Sequence, residues 1–325
     1  MLNPELTTHS REEKLQNEVP LKNSTVRIAV CFYGIARSLR FTHSSIEDNI
    51  MVPLRALGDV KVYAHFYQKT RIENQRSGEF CAIDPREHKY LNYDCIDLED
   101  PDNSDVQSLF DAVAPFGSAW NGDMTTLGNL CHQLISLRQV TQRALSDGHD
   151  LYVFVRPDLM YHDSILHAAR VALNVEAPHV FTPNWQQQRG GLNDRFCLVR
   201  GDEAARAVGY RADNALNFCS AEKAPLHSEL LLRFSVKDIP EKPFFARATR
   251  VRSDGIFCRE SFDVPHVADS IRKLRAIVRQ PGVRSVLIRL LRLKQRLQYG
   301  PRYDNLHRLA ALSNDKMKKP YWKAP

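Results

Sequence analysis

The segment LYVFVRPDLMYHD, residues 151–163, sets a basic and an acidic side chain two positions apart at the end of an unbroken apolar run. Five β-branched or aromatic-rich residues read as a buried strand, and ligands of open α/β sheets bind beyond the carboxyl ends of such strands. On extended backbone Arg156 and Asp158 face the same way. An arginine there can pair with diphosphate oxygens, and an aspartate can hold a divalent cation that bridges the same oxygens. The competing reading is a structural salt bridge that caps a core strand.

The elements that would position this pair are visible around it. VRIAVCFY, residues 26–33, is a second buried strand and ends at Gly34. Ile46, Ile50, Leu54 and Leu57 give residues 42–57 a helical period, with Pro53 inside it as a kink or break. DVKVYAHF, residues 59–66, reads as the next strand, so the chain opens with a βαβ unit. Residues 68–104 read as a long irregular excursion, followed by helices over 105–113 and 124–146. Strands at 179–182 and 196–199 and helices over 202–217 and 226–236 complete the body.

Residues 1–24 are polar, without a usable period, and read as a disordered lead-in with no secretory h-region. No run of 18 apolar residues occurs, so no bilayer-spanning segment is expected. Seven cysteines lie scattered, without a CxxC pair, which argues against a zinc site or a disulfide scaffold and fits a reducing cytosolic setting.

Charge divides the chain. Of 45 Lys and Arg, 15 lie from residue 271 onward against Asp304 and Asp315, whereas the first 270 residues carry 30 basic and 36 acidic side chains. The +7 net charge therefore belongs to the tail. VRSVLIRLLRLKQRLQ, residues 283–298, gathers Val283, Val286, Leu287, Leu290, Leu291 and Leu297 on one side of a helix and most arginines on the other. That is the pattern of an interfacial helix for an anionic membrane, or of a helix packed on the protein's own body with solvated arginines. The acidic body and the absence of a nucleic-acid module argue against specific nucleic-acid binding. GxGxxG, GxxxxGK[ST], GxSxG and HExxH are all missing. His162 and His167, which flank Asp163, read as surface residues.

The opening VRIAVCFYGIARSLRFTHSSIEDNIMVPL, the central YVFVRPDLMY and the later GGLNDRF, spread over residues 26–236, together resemble a family of bacterial glycosyltransferases of lipopolysaccharide and capsule synthesis, divergent members of the GT-A superfamily. The resemblance implies an α/β fold with a GT-A-like, Rossmann-like, mostly parallel sheet flanked by helices. With the polar lead-in and a change of composition past Pro265, the chain divides into a lead-in (1–24), a nucleotide-sugar-binding domain (25–265) and a basic helical tail (266–325). The resemblance implies transfer of a sugar from a nucleotide-sugar donor to a saccharide or lipid-linked acceptor, in the cytoplasm or at the inner membrane face.

Site roles follow from the same resemblance. Gly34 and Arg37 fall where this fold meets the nucleotide. Arg156-Pro157-Asp158 replaces Asp-x-Asp, which ordinarily chelates Mn²⁺ or Mg²⁺. Arg156 can then neutralise the diphosphate directly, and Asp158 remains as a single metal ligand. In GGLNDRFCLV, Asp194 is the first candidate for the base that an inverting reaction needs, and Arg195 stands beside it. Glu229, in His227-Ser228-Glu229, is the second, although that triplet also reads as an ordinary helix start. Asn129, His132 and Gln133 share a helix face that would touch nucleotide or sugar, or would simply be a polar flank. Trp185 is either an acceptor-stacking ring or core packing. The rival reading of the whole chain is a non-catalytic scaffold, with nucleotidyl transfer behind it.

Overall fold

The structure, a computed structural model, describes residues 25–74, 78–102, 104–187, 190–278 and 280–299. The lead-in 1–24 and the end of the tail lie outside the described residues. β1 (Arg27–Gly34), which is buried on both faces, is the centre of the molecule. Ile28, Val30 and Phe32 point into one apolar cluster, and Ala29, Cys31 and Tyr33 into another, as the two-residue period of a strand requires.

The first helix runs as α1 (Leu39–Ile46), a π-helical turn at Glu47–Met51, and α2 (Val52–Arg55). Pro53 has no N–H for the carbonyl of Asn49, four residues back. That carbonyl accepts instead from Ile165 N at 3.0 Å, and the Asn49 side chain donates to the Tyr161 carbonyl at 2.9 Å. The proline thus does not end the helix. Its missing bond is turned outward to hold a neighbouring loop.

β2 (Asp59–Tyr67) pairs in parallel with β1. The stretch expected to be irregular contains the hairpin strands β3 (Arg71–Asn74) and β4 (Glu79–Ala82), then β5 (Cys95–Glu99), which joins the main sheet beside β2. β5 is an exposed edge strand and carries no apolar run. α3 (Ser104–Val113) leads to α4 (Met124–Leu145), whose N-terminus is capped by Asp123. β6 (Leu151–Val155) lies on the other side of β1, again in parallel.

β7 (Leu159–Tyr161), α5 (Leu166–Leu173), β8 (His179–Pro183) and β9 (Cys197–Arg200) follow. The single helix expected over 202–217 is two, α6 (Asp202–Gly209) and α7 (Ala215–Glu222). Gly209, the last residue of α6, lets that helix pack tightly on α4: a Cβ there would sit 2.1 Å from Thr141 Oγ1. α8 (Ser228–Ser235), β10 (Glu241–Phe244) and β11 (Ala248–Arg250) close the body, and α9 (Pro265–Ile277) and α10 (Pro281–Tyr299) form the tail helices.

The main sheet runs β10-β8-β9-β6-β1-β2-β5, parallel except for β9. α1, α2 and α5 cover one face, and α4, α6 and α8 cover the other. The expected α/β class with a mostly parallel, helix-flanked sheet is what forms. The chain builds outward from β1 to β2 and β5, then returns to place β6 on the opposite side. The loops after β1 and β6 therefore diverge and leave a crevice between them, the usual ligand position in such sheets.

Candidate functional site

A cleft of about 410 Å³ opens at this switch point. That volume suits a small-molecule ligand. Parallel strands deliver three cations to its rim, each just past a strand end: Arg37 after β1, Lys69 after β2 and Arg156 after β6. α4 contributes Asn129, His132 and Gln133 to one wall, and the segment before β9 contributes Asp194 and Arg195. Glu229 enters from the start of α8. Every residue singled out above for donor, metal or base duty, Gly34 included, thus lines one cleft.

Two glycines make that convergence possible. Gly34 has φ +103°, a conformation that a side chain would strain, and its N–H donates to Ser136 Oγ at 2.7 Å. Gly191 seats against α8, where a Cβ would lie 2.6 Å from the Glu229 carbonyl carbon. Leu192 N donates to the Glu229 carbonyl oxygen at 3.0 Å, which fixes the Asp194 segment to the Glu229 helix.

The floor is an ion-pair network. Arg156 grips Asp158 with Nε at 2.9 Å and Nη2 at 2.8 Å, and Arg37 Nη2 reaches the same carboxylate at 2.8 Å. Arg37 Nη1 also faces Glu79 at 3.4 Å, whose carboxylate accepts from Arg252 at 2.9 Å and from Ser253 N and Oγ. The Asp158 and Glu79 side chains are 5% and 1% exposed, so both charges exist only because guanidiniums surround them. Burial alone would raise both carboxyls, but Arg156 and Arg37 hold Asp158, and Arg37 and Arg252 hold Glu79, below the usual range.

The structure therefore realises the salt bridge that the 156–158 spacing allowed, and it does so at the edge of the cleft. The donor set for Mn²⁺ or Mg²⁺ does not fit. These hard cations need several free oxygens, yet both oxygens of Asp158 are spent on guanidinium donors. Among the described residues, no three His, Cys, Asp or Glu side chains group for a metal.

Other placements are more structural than sequence reasoning assigned. Arg195 forms a two-pronged pair with Glu260 at 2.7 and 3.0 Å and lies over the Trp185 ring at 5.5 Å. Both ring nitrogens of His132 face backbone carbonyls, those of Gly128 and Pro101, at 2.9 and 3.0 Å. Of the two alternatives for Trp185 the structure takes core packing: it is fully buried, with its indole N–H given to the Ala246 carbonyl at 2.7 Å. His162 is half-buried rather than fully at the surface: it bonds Thr249 Oγ1 at 2.8 Å and meets the Phe262 ring edge-on.

Asp194 accepts a hydrogen bond from Ser228 Oγ. Burial pushes its carboxyl up, but Arg211, the Ser228 hydroxyl, Arg156 and Arg195 together bring it below the normal carboxylate value. It is thus an ionised, strongly accepting and weakly basic group.

Sequence reasoning missed Lys69, Arg71, Arg250 and Arg252, all on the cleft wall. Lys69 carried a legible signal, being a cation just past a parallel strand like Arg37 and Arg156. Arg250 and Arg252 had none, because β11 reaches the cleft by pairing with β7 from almost a hundred residues away. The stacked rings of Trp120 and His227, 5.9 Å apart, were missed too.

None of the family models and none of the curated proteins compared with the chain matches it. Among solved structures, the chain is similar to apo mouse xyloside xylosyltransferase 1, with a TM-score of 0.37 and 12% identity over 67% of this chain and 85% of that one. It is similar also to the apo form of the glycosyltransferase GlyE of Streptococcus pneumoniae, with a TM-score of 0.36 and 11% identity over 67% of this chain and 45% of that one. Likenesses of this size carry no chemistry from either protein to this chain.

Proposed function

We propose that the cleft binds a nucleotide sugar and transfers its glycosyl group to a saccharide or lipid-linked hydroxyl. The observation that carries this reading is the convergence, at the switch point of a parallel sheet, of strand-end cations with the carboxylates Asp194 and Glu229. Departure of a nucleoside diphosphate builds negative charge on the leaving oxygens, and prepositioned guanidiniums stabilise that charge without reorganising. Arg37 and Arg156 fill that role, their geometry fixed by Asp158. Asp194 suits the orientation of a sugar hydroxyl better than its deprotonation, because its proton affinity is held down. Glu229 is then the candidate base if configuration inverts.

The tail belongs to the same reading as a hold on an anionic membrane surface, which would bring the cleft to lipid-linked acceptors. Its docked face and its free face are separate. Ile288 and Leu291 pack on Val264, Val267 and Ile271, while Gln295 is buried against the Phe262 carbonyl. Val283, Val286, Leu290, Leu293 and Leu297 form a stripe exposed to solvent on a helix without a single acid. Among the described residues, no helix is long and apolar enough to cross a membrane.

A panel of nucleotide sugars, assayed for release of the nucleotide, tests the chemistry. Turnover is expected with at least one donor and is expected to vanish in Arg156→Met. A chain that neither binds nor turns over any of them is a scaffold instead.

A further inference from the structure

Resting on the reading of the cleft as a nucleotide-sugar site, we propose that the diphosphate is held by the protein's own cations with no divalent ion, and that Lys69 is the residue that meets it. The argument starts from the charges of the cleft: seven Lys and Arg side chains line it, and Glu79 and Glu260 behind the wall pair with four of them. Asp158 is already neutralised by two guanidiniums, so a cation arriving there must displace Arg156 and Arg37 and stand beside their positive charges. A diphosphate meets the opposite situation. It meets guanidinium donors already fixed in place, with Lys69 beside them, and needs no bridging ion.

Lys69 is what separates this cleft from a self-satisfied ion-pair network. Arg37, Arg156, Arg195 and Arg252 each hold a buried carboxylate. The Lys69 ammonium has no hydrogen-bond partner among the described residues. It is partly enclosed, and burial lowers its proton affinity while Asp102 offsets this in part. A partly desolvated ammonium with no hydrogen bond is costly, and an anionic ligand removes that cost. Two further polar atoms of cleft-lining side chains, Gln133 Nε2 and Tyr67 Oη, are buried and lack partners among the described residues. Bound phosphate would offer acceptors on the side of the cleft where the strand β2 ends.

Calorimetric titration of the full chain with UDP, GDP and dTDP, in EDTA and again with added Mn²⁺, tests this. Binding of one of them is expected in EDTA, with an affinity that Mn²⁺ changes by less than about threefold. Lys69→Met should weaken that binding by roughly tenfold to a hundredfold, the value of a charge-assisted hydrogen bond. Lys69→Arg should restore most of it, and the melting temperature of both variants should match the wild type. Binding that appears only with Mn²⁺, or Lys69→Met binding as tightly as wild type, overturns the proposal while leaving the cleft a nucleotide site. Failure of every nucleotide under both conditions overturns the cleft reading itself, and this proposal with it.

Discussion

The cleft and the tail are both rich in arginine, yet they handle charge in opposite ways. In the cleft, guanidiniums are pinned by carboxylates that are themselves almost inaccessible: Glu260 and Glu79 side chains are 1% exposed. In the tail, Arg272 is 78% exposed and its ion-pair partner, Asp269, is 57% exposed. Pinned cations present a fixed pattern and are shielded from salt. Floating cations gain little from surface pairs and attract any anionic surface, with a strength that ionic strength controls. The chain thus contains a fixed pattern of cations and a diffuse one. Arg292, by contrast, behaves like a cleft arginine, paired with buried Asp263 at 2.8 Å where α10 meets the body.

The sharpest way to break this contrast is to remove a pin. Asp158→Asn leaves Arg156 and Arg37 facing each other with no charge between them, and should cost about 3–5 kcal/mol in denaturant unfolding. Asp269→Asn should change stability by less than about 0.5 kcal/mol. Equal effects would show that the cleft cations are not fixed by their partners.

A second test lies at the seam between the two regions, where His162 meets Phe262 edge-on. Burial, helped by Arg247 and opposed by Asp163, lowers its pKa to about 4. The unfolded imidazole titrates near ~6.5, so between these values only the unfolded chain takes up the proton. Stability should therefore be complete above pH ~6.5 and fall as pH drops toward 4, by up to about 3 kcal/mol. Denaturant midpoints at intervals from pH 7 to 4.5 check this, and His162→Gln should show a shallower decline. A decline as steep as wild type would move the pH sensitivity elsewhere, to groups such as His65 or His149, whose pKa values burial also lowers.

The smallest effect on the fold should come from the free stripe. Leu290→Ser with Leu293→Ser should shift unfolding by less than about 0.5 kcal/mol, since both side chains already face solvent. The same pair should sharply reduce co-sedimentation with anionic vesicles, and added salt should release the wild-type chain. Unchanged sedimentation, or salt-insensitive binding, would remove the tail's half of the contrast.

Much of the positioning was legible from the chain. Strands read from apolar runs put Arg37 and Arg156 at one sheet edge, because parallel strands end together. What stayed hidden was set by distant partners. That Asp158 is filled by Arg37 follows from the order in which β1 and β6 lie, which no local pattern states. Trp185 could have gone to a sugar or to the core, and its indole settled on the Ala246 carbonyl, 61 residues away. The strands β5, β10 and β11 lacked apolar runs because each is short or at an edge. In the tail, periodicity found the helices but merged two apolar faces into one, since only the docking of Ile288 and Leu291 tells the inner stripe from the outer.

The π-helical turn at Glu47–Met51 makes the first helix a ruler with one extra mark. Removing a single residue there would give a regular helix, yet would turn everything downstream by about 100° and draw it back by about 1.5 Å. Ile50 and Leu54 would then leave the apolar cluster they now fill, and the Asn49 carbonyl would lose Ile165. An irregularity that looks like a fault in the helix is what lets its two halves face different neighbours.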